Sequence, residues 1–251
     1  MPARHTGQNG LSIPLNDKIR ATVRHPLILE VRAALELAGD REKAPKMQAY
    51  MKSAMPYRGV SSPEQKAIWK RVFPAHPLSS REQWQRVALT LWRDAAFREE
   101  RYAAIALTAL EGYAPYRTMT SVPMFEEMIV TGAWWDFVDA IAGRQLGDIL
   151  RKDAARMPVR MRRWARDGNM WKRRSAILCQ LSFKRDTDLT LLYDCIEPNL
   201  QDKEFFIRKA IGWALRQYAW TDPRAVKAYV KVNRERLSGL SVREALKNVD
   251  R

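Results

Sequence analysis

Trp134–Trp135–Asp136–Phe137–Val138–Asp139–Ala140–Ile141–Ala142 reads as a helix. Turning about 100° per residue puts Trp134, Phe137, Val138 and Ile141 on one apolar stripe with the i, i+3, i+4, i+7 spacing of a core-facing helix. Trp135 and Asp139 fall roughly 110° to 150° from the centre of that stripe by the same rotation, and they share a face because they stand four apart. A large aromatic beside a carboxylate, turned away from the core, has two readings. Either Trp135 packs on the next helix and Asp139 is a solvated charge, or the two line a site.

The same period recurs outward in both directions. It marks helices over 27–37, 42–54, 63–72, 81–94, 97–114, 121–130, 144–154, 156–166, 169–181, 187–197, 203–220, 223–232 and 241–249. Start signals accompany several of them. Ser62–Pro63–Glu64–Gln65 reads as a capping box with proline at the first helical position, Ser80 to Gln83 and Ser241 to Glu244 repeat the pattern, and Asp222–Pro223 is a cap and first turn. Gly39 closes the first helix. With no alternating strand pattern and no Asn-Gly or Asp-Gly hairpin pair, the fold class is all-α. The helices pair about every 40 residues, the period of HEAT-type repeats, which stack only on their neighbours. A curved solenoid of antiparallel helix pairs is expected, and the weak self-similarity leaves an irregular helical globule open beside it. Residues 1–25 lack this period and read as an irregular arm, so the repeat domain is expected over 26–251.

Composition narrows the function. Lys and Arg number 44 against 28 Asp and Glu, a net charge of +16 in 251 residues, and the cations are spread through patterned helices. A folded basic surface of this kind attracts a polyanion, nucleic acid before an anionic membrane. The longest uncharged apolar run, Tyr102 to Leu110, is about half of the roughly 18 residues that a span requires. Two cysteines, Cys179 and Cys195, exclude a disulfide framework, and Met1 to His5 lacks a signal-peptide core, so a cytoplasmic protein is expected.

Two more helices carry a residue out of place. Over 205–218, Ile207, Ala210, Ile211 and Ala214 form the stripe, and Trp213 lies roughly 110° away, sharing its face with Lys209 and Arg216. A flat ring between two cations suits a phosphate-bearing ligand, and it equally suits a core tryptophan with snorkelling neighbours. Over 169–181, Arg174 falls inside the stripe of Met170, Ile177, Leu178 and Leu181. Its guanidinium cannot shed its proton, so burial there demands a carboxylate from the protein or a phosphate from a ligand.

At these residues the chain resembles the AlkD-type DNA alkylation-repair glycosylases, which are built from HEAT-like repeats. The resemblance rests on Trp134 to Asp139, Leu146–Gly147–Asp148–Ile149, Asn169–Met170–Trp171 with Arg174 and Ala176–Ile177–Leu178, and the long run from Lys203 to Trp213. It covers about residues 29 to 249. It implies a basic concave face that holds duplex DNA and hydrolyses the N-glycosidic bond of cationic lesions, N3-methyladenine and N7-methylguanine, with bulky adducts tolerated because no base-binding pocket closes on them. In that pattern Asp139 corresponds to the catalytic aspartate, Trp135 and Trp213 to the two cleft tryptophans, and Arg174 to the arginine. Tyr50 matches a tyrosine on an N-terminal helix. Ser62 to Lys66 match a capped helix that meets the DNA backbone, with Ser62 for a family threonine and Lys66 for an arginine. The DNA-contacting set is thus Tyr50, Ser62, Lys66, Arg173, Lys184, Lys209 and Arg216, with the Arg160–Arg162–Arg163 and Lys172–Arg173 clusters as phosphate contacts or a solvated face. No cofactor, metal or membrane partner is expected, and a monomer is.

The chemistry is consistent with so sparse a site. A cationic purine leaves without a general acid, so one carboxylate suffices to stabilise the oxocarbenium ion and to place a water. Two aromatic faces favour the cationic sugar and base by about 0.5–2 kcal/mol each. His5, His25 and His76 have no ligand spacing, the cysteines read as small buried hydrophobes, and Asp136 and Asp148 as supporting groups. The alternative is a non-catalytic helical-repeat protein that binds nucleic acid or serves as a scaffold, in which the carboxylate or an aromatic would be missing. Here all four are present.

Overall fold

Buried positions that recur every three to four residues, such as Trp84, Val87, Ala88 and Leu91, produce helices. The computed structural model describes residues 25–247 and 249, and no strand occurs among them. The arm expected over 1–25 lies outside the described residues except for His25, whose ring Nδ1 accepts the Leu27 N–H at 3.2 Å and caps the first helix.

Fourteen helices follow among the described residues: α1 Pro26–Leu37, α2 Lys43–Met51, α3 Ser62–Ala75, α4 Arg81–Arg93, α5 Arg98–Ala109, α6 Val122–Gly132, α7 Trp135–Ala140, α8 Gly147–Lys152, α9 Met157–Trp164, α10 Met170–Leu178, α11 Leu189–Ile196, α12 Phe205–Ala219, α13 Pro223–Val232 and α14 Gly239–Leu246. They form two rows. In one, α3 packs on α5, α5 on α7, α7 on α10, α10 on α12, and α12 on α14. The other runs through α4, α6, α9, α11 and α13, where Tyr193 of α11 stacks on Tyr229 of α13 at 4.2 Å. Contacts thus pass between near neighbours in sequence, as a curved solenoid of helix pairs requires. The core between the rows is continuous, from Leu27 and Trp84 through Phe137 and Ile177 to Ile211 and Ala245. Burying each large aliphatic chain there contributes about 1.5–3 kcal/mol.

Side-chain caps start seven of the fourteen helices, with two corrections to the sequence pattern. Ser80 and Asp222 cap α4 and α13 by accepting the N–H of Gln83 and Ala225. The box at α3 is one residue earlier than the sequence pattern suggested: Ser61 is the cap, and Glu64 accepts its N–H at 2.8 Å and its hydroxyl at 2.6 Å. At the C-terminal end, Ser238 caps α14 through the Ser241 N–H, so Ser241 is a buried residue inside the helix and Glu244 is free for another role.

The segments 134–142 and 144–154 are not separate helices. Between α7 and α8, Ile141–Leu146 form a wide π-helical stretch, so one axis runs from Trp135 to Lys152. Such insertions recur at functional sites, and this one begins two residues after Asp139.

Candidate active site

The first row of helices carries the residues that sat off their stripes. Trp134, just ahead of α7, packs against Trp171 of α10 and Phe206 of α12, with ring centroids 6.4 and 5.5 Å away. That wedge fixes the start of α7. Trp135 then turns outward, 37% exposed, and Asp139 follows one turn later.

Arg174 is 4% exposed, inside the core stripe as the sequence placed it. Its Nε meets Asp139 Oδ1 at 2.7 Å and its Nη2 meets Oδ2 at 2.8 Å, while Nη1 donates to the Phe206 carbonyl. The guanidinium is therefore satisfied within the protein: of the two partners its burial allowed, the structure supplies the carboxylate, and both Asp139 oxygens are held by it. Each carboxylate oxygen keeps an unused lone pair.

Asp139, Trp135 and Arg174 form one side of an open cleft of about 290 Å³. Phe205, Phe206, Trp213 and the Lys209, Arg216 and Glu244 side chains form the rest. Burial pushes the Asp139 carboxyl above its ordinary value, outweighing the opposing pull of Arg174, and the Asp136 charge adds to the rise.

Asp136, three residues before Asp139, points the other way. It accepts from Arg98 at 2.6 Å and from the Tyr102 hydroxyl at 2.5 Å, and Tyr102 in turn meets the Tyr57 hydroxyl at 2.9 Å. Burial, with the Asp136 charge next, drives the Tyr102 phenol far above its usual range, so it stays a donor. Asp148 similarly pairs with the fully buried Arg117 at 2.7 Å. Both are supporting carboxylates, as their sequence contexts suggested.

On the far wall, Lys209 and Arg216 flank Trp213, but neither is idle. Glu244 of α14 takes Lys209 Nζ on Oε1 at 2.7 Å and Arg216 Nη1 on Oε2. Lys209 first, and Arg216 with it, hold the Glu244 carboxyl below its usual range. The sequence reading missed Glu244, having assigned it to a capping box. It also missed Phe205 and Phe206 as cleft residues, although both stand in the run that carries the resemblance.

The remaining expected DNA contacts lie elsewhere. Tyr50, 80% exposed, shares a recess of about 380 Å³ with Ser62, Lys66, Tyr57 and Tyr102. Tyr102 connects that recess to Asp136 and so to the base of α7. Arg173 does not reach the cleft: it closes the turn before α10 by donating to the Asp167 and Gly168 carbonyls, and it pairs with Asp202 at 3.0 Å. Lys184 is exposed in the turn after α10, on a recess that Trp220 also lines. Of the basic clusters, Arg160 and Lys172 pair with Glu126 and Arg162 with Asp194, so these cations tie the helices together. His76 pairs with Glu30 at 2.6 Å, and Cys179 and Cys195 are buried thiols. Among the described residues no group of three or more His, Cys, Asp or Glu could hold a metal ion, and no helix is long and apolar enough to cross a membrane.

Fold and site together define an all-α solenoid whose open cleft is lined by two carboxylates, Asp139 and Glu244, by Arg174, Lys209 and Arg216, and by the indoles of Trp135 and Trp213. The comparisons bear on the fold and the family. A sequence model of the family described as DNA alkylation repair enzyme matches residues 31–249, and the chain belongs to that family. A solved structure, a predicted DNA alkylation repair enzyme from Enterococcus faecalis, is similar at 31% identity and a TM-score of 0.76, over 84% of this chain and 96% of that one. No curated protein matches the sequence.

Proposed function

We propose that this DNA alkylation repair enzyme is a glycosylase that hydrolyses the N-glycosidic bond of cationic alkylated purines in duplex DNA. The observation that supports it most is the Asp139 carboxylate, oriented at two points by Arg174 on the wall of a cleft that also holds Trp135 and Trp213.

The reaction follows from charge. As the C1′–N bond breaks, its electron pair passes to the ring nitrogen and quenches the positive charge on the base, which leaves neutral. The positive charge moves to the sugar, where the Asp139 carboxylate and the two indole faces favour it. Water then forms the O–C1′ bond, giving its proton to Asp139 and from there to solvent, and an abasic sugar remains. Arg174 keeps the carboxylate turned to the cleft and does not itself hold a phosphate. Because the cleft is open, discrimination rests on the lability of the cationic lesion, and a bulky adduct has room to project. Duplex DNA is held along the basic face, with Tyr50, Ser62 and Lys66 meeting the backbone away from the lesion.

The test is incubation with methylated duplex DNA and chromatography of released bases. Free 7-methylguanine and 3-methyladenine are expected. Intact duplex binding with no release at high enzyme excess would instead establish a non-catalytic DNA-binding solenoid.

A further inference from the structure

Lys209, Trp213 and Arg216 lie on one face of α12, and both cations would be natural phosphate ligands beside Trp213. In the structure both are taken by Glu244. Its two oxygens are divided between the two cations, the way two non-bridging oxygens of a phosphodiester would be.

The arrangement depends on how closely α14 approaches α12. A Cβ added at Gly212 would stand 2.5 Å from the Glu244 Cβ and 2.8 Å from the Ser241 carbonyl oxygen, closer than atoms tolerate. Only a residue without a side chain at 212 lets Glu244 reach across to Lys209 and Arg216. The charges facing the cleft are then Arg174, Lys209 and Arg216 against Asp139 and Glu244. Arg174 already belongs to Asp139, so Glu244 cancels much of what remains.

The geometry points to Glu244 as a built-in substitute for a DNA phosphate, which any incoming strand must displace from Lys209 and Arg216. This rests on the reading of the cleft as a DNA site and adds a selectivity device to it. A phosphate that seats between the two cations exchanges one anion for another and leaves Glu244 unpaired beside DNA. Ordinary duplex therefore gains little from these cations, and its grip on the cleft stays weak. Such restraint suits an enzyme that must leave undamaged DNA quickly. A lesion that places cationic sugar or base character in the cleft meets the freed carboxylate favourably and recovers part of the loss.

The experiment measures anisotropy of labelled, undamaged duplex over a range of salt for wild type, Glu244→Gln, Lys209→Ala and the double variant. Lys209→Ala alone is expected to cost less than twofold in affinity, because the lysine is committed to Glu244. Glu244→Gln is expected to tighten binding about fivefold or more and to steepen the log–log salt slope by about 1–2, at roughly 0.9 per phosphate newly neutralised. Lys209→Ala in the Glu244→Gln background is then expected to cost at least fivefold. An equal cost of Lys209→Ala in both backgrounds overturns the proposal, as does the same tightening from Glu235→Gln, a charge deletion outside the cleft. Glu244→Ala repeats the cycle should the glutamine variant fold poorly. Loss of coupling with duplex binding intact removes only the role of Glu244, whereas no duplex binding by any of these proteins removes the DNA reading of the cleft as well.

Discussion

Arg174 and Asp139 meet as a two-point fork across the α7–α10 contact, at 2.7 and 2.8 Å. Each was out of place on its own helix: a cation inside a core stripe, and an acid beside one. Together they form one object. A buried guanidinium without a carboxylate is very costly, and a lone carboxylate at a cleft wall has no fixed direction. The fork removes the cost and sets the direction of both oxygens at the same time.

Asp139→Asn should therefore separate chemistry from binding. The amide keeps the shape but cannot balance an oxocarbenium charge, so base release from methylated duplex is expected to fall at least about 100-fold. Duplex affinity should hold or rise, because a negative charge has left the proposed DNA face. The change also leaves Arg174 without its counter-charge, a loss of about 3 kcal/mol of stability, so the melting curve fixes the temperature at which activity is compared. Normal release by a folded Asn variant would remove Asp139 from the mechanism.

The pH dependence has a defined sign. In the proposed mechanism Asp139 must be ionised to act, and burial raises its pKa above the ordinary 3.8. The acid limb of the rate profile is thus expected above 3.8, with activity rising as pH rises through it. Arg174 pulls that pKa down, so Arg174→Gln should move the limb to higher pH. Asp136 pushes it up, so Asp136→Asn should move it to lower pH. Two shifts in the same direction would show that the limb belongs to another group.

In the proposed mechanism the indoles contribute by contact with positive charge. Trp135→Ala and Trp213→Ala are each expected to slow base release roughly 2- to 30-fold, the equivalent of about 0.5–2 kcal/mol. Phenylalanine at either position should restore part of the rate. Trp135 is more than one-third exposed, so its loss should barely change the melting temperature. An alanine variant that melts normally yet turns over at the wild-type rate would argue against the cation–π role.

Periodicity made Trp135, Trp213 and Arg174 visible, because each departs from a stripe that the rest of its helix obeys, and the all-α class follows from the same period. The partners of these residues were not visible. Glu244 pairs with Lys209 from 35 positions away, and its sequence neighbourhood imitates a capping box, so local pattern gave it the wrong role. The cations at Arg173, Arg162 and Lys172 look like phosphate contacts in sequence, yet they are spent on Asp202, Asp194 and Glu126. Charge reads out of a sequence one residue at a time, whereas neutralisation is a property of pairs that only the tertiary fold brings together. The joining of α7 to α8 escaped notice for a related reason, since a π-helical stretch shifts the period by one residue and resembles a break.

Asp136 supplies the contrast to Asp139. Its side chain is largely buried between Arg98 and the Tyr102 hydroxyl, and the Arg98 guanidinium also lies 4.0 Å over the Phe137 ring. Removing one member leaves a desolvated cation against an aromatic and a buried phenol without its acceptor. Asp136→Asn should thus lower stability by about 3 kcal/mol. In a chain of this size that is a fall of roughly 6–12 °C in melting temperature. Below the transition the Asn variant should still release base, on a pH profile displaced downward as argued above, because its carboxylate faces α5 and not the cleft. Asp139→Asn should show the reverse emphasis, with chemistry lost at temperatures where the chain is still folded. Measured side by side, the two substitutions test whether carboxylates three residues apart on one turn of helix are divided between holding the fold and acting on the substrate. Equal loss of base release from both, at matched folded fraction, would mean that the Arg98–Asp136–Tyr102 network reaches into the chemistry.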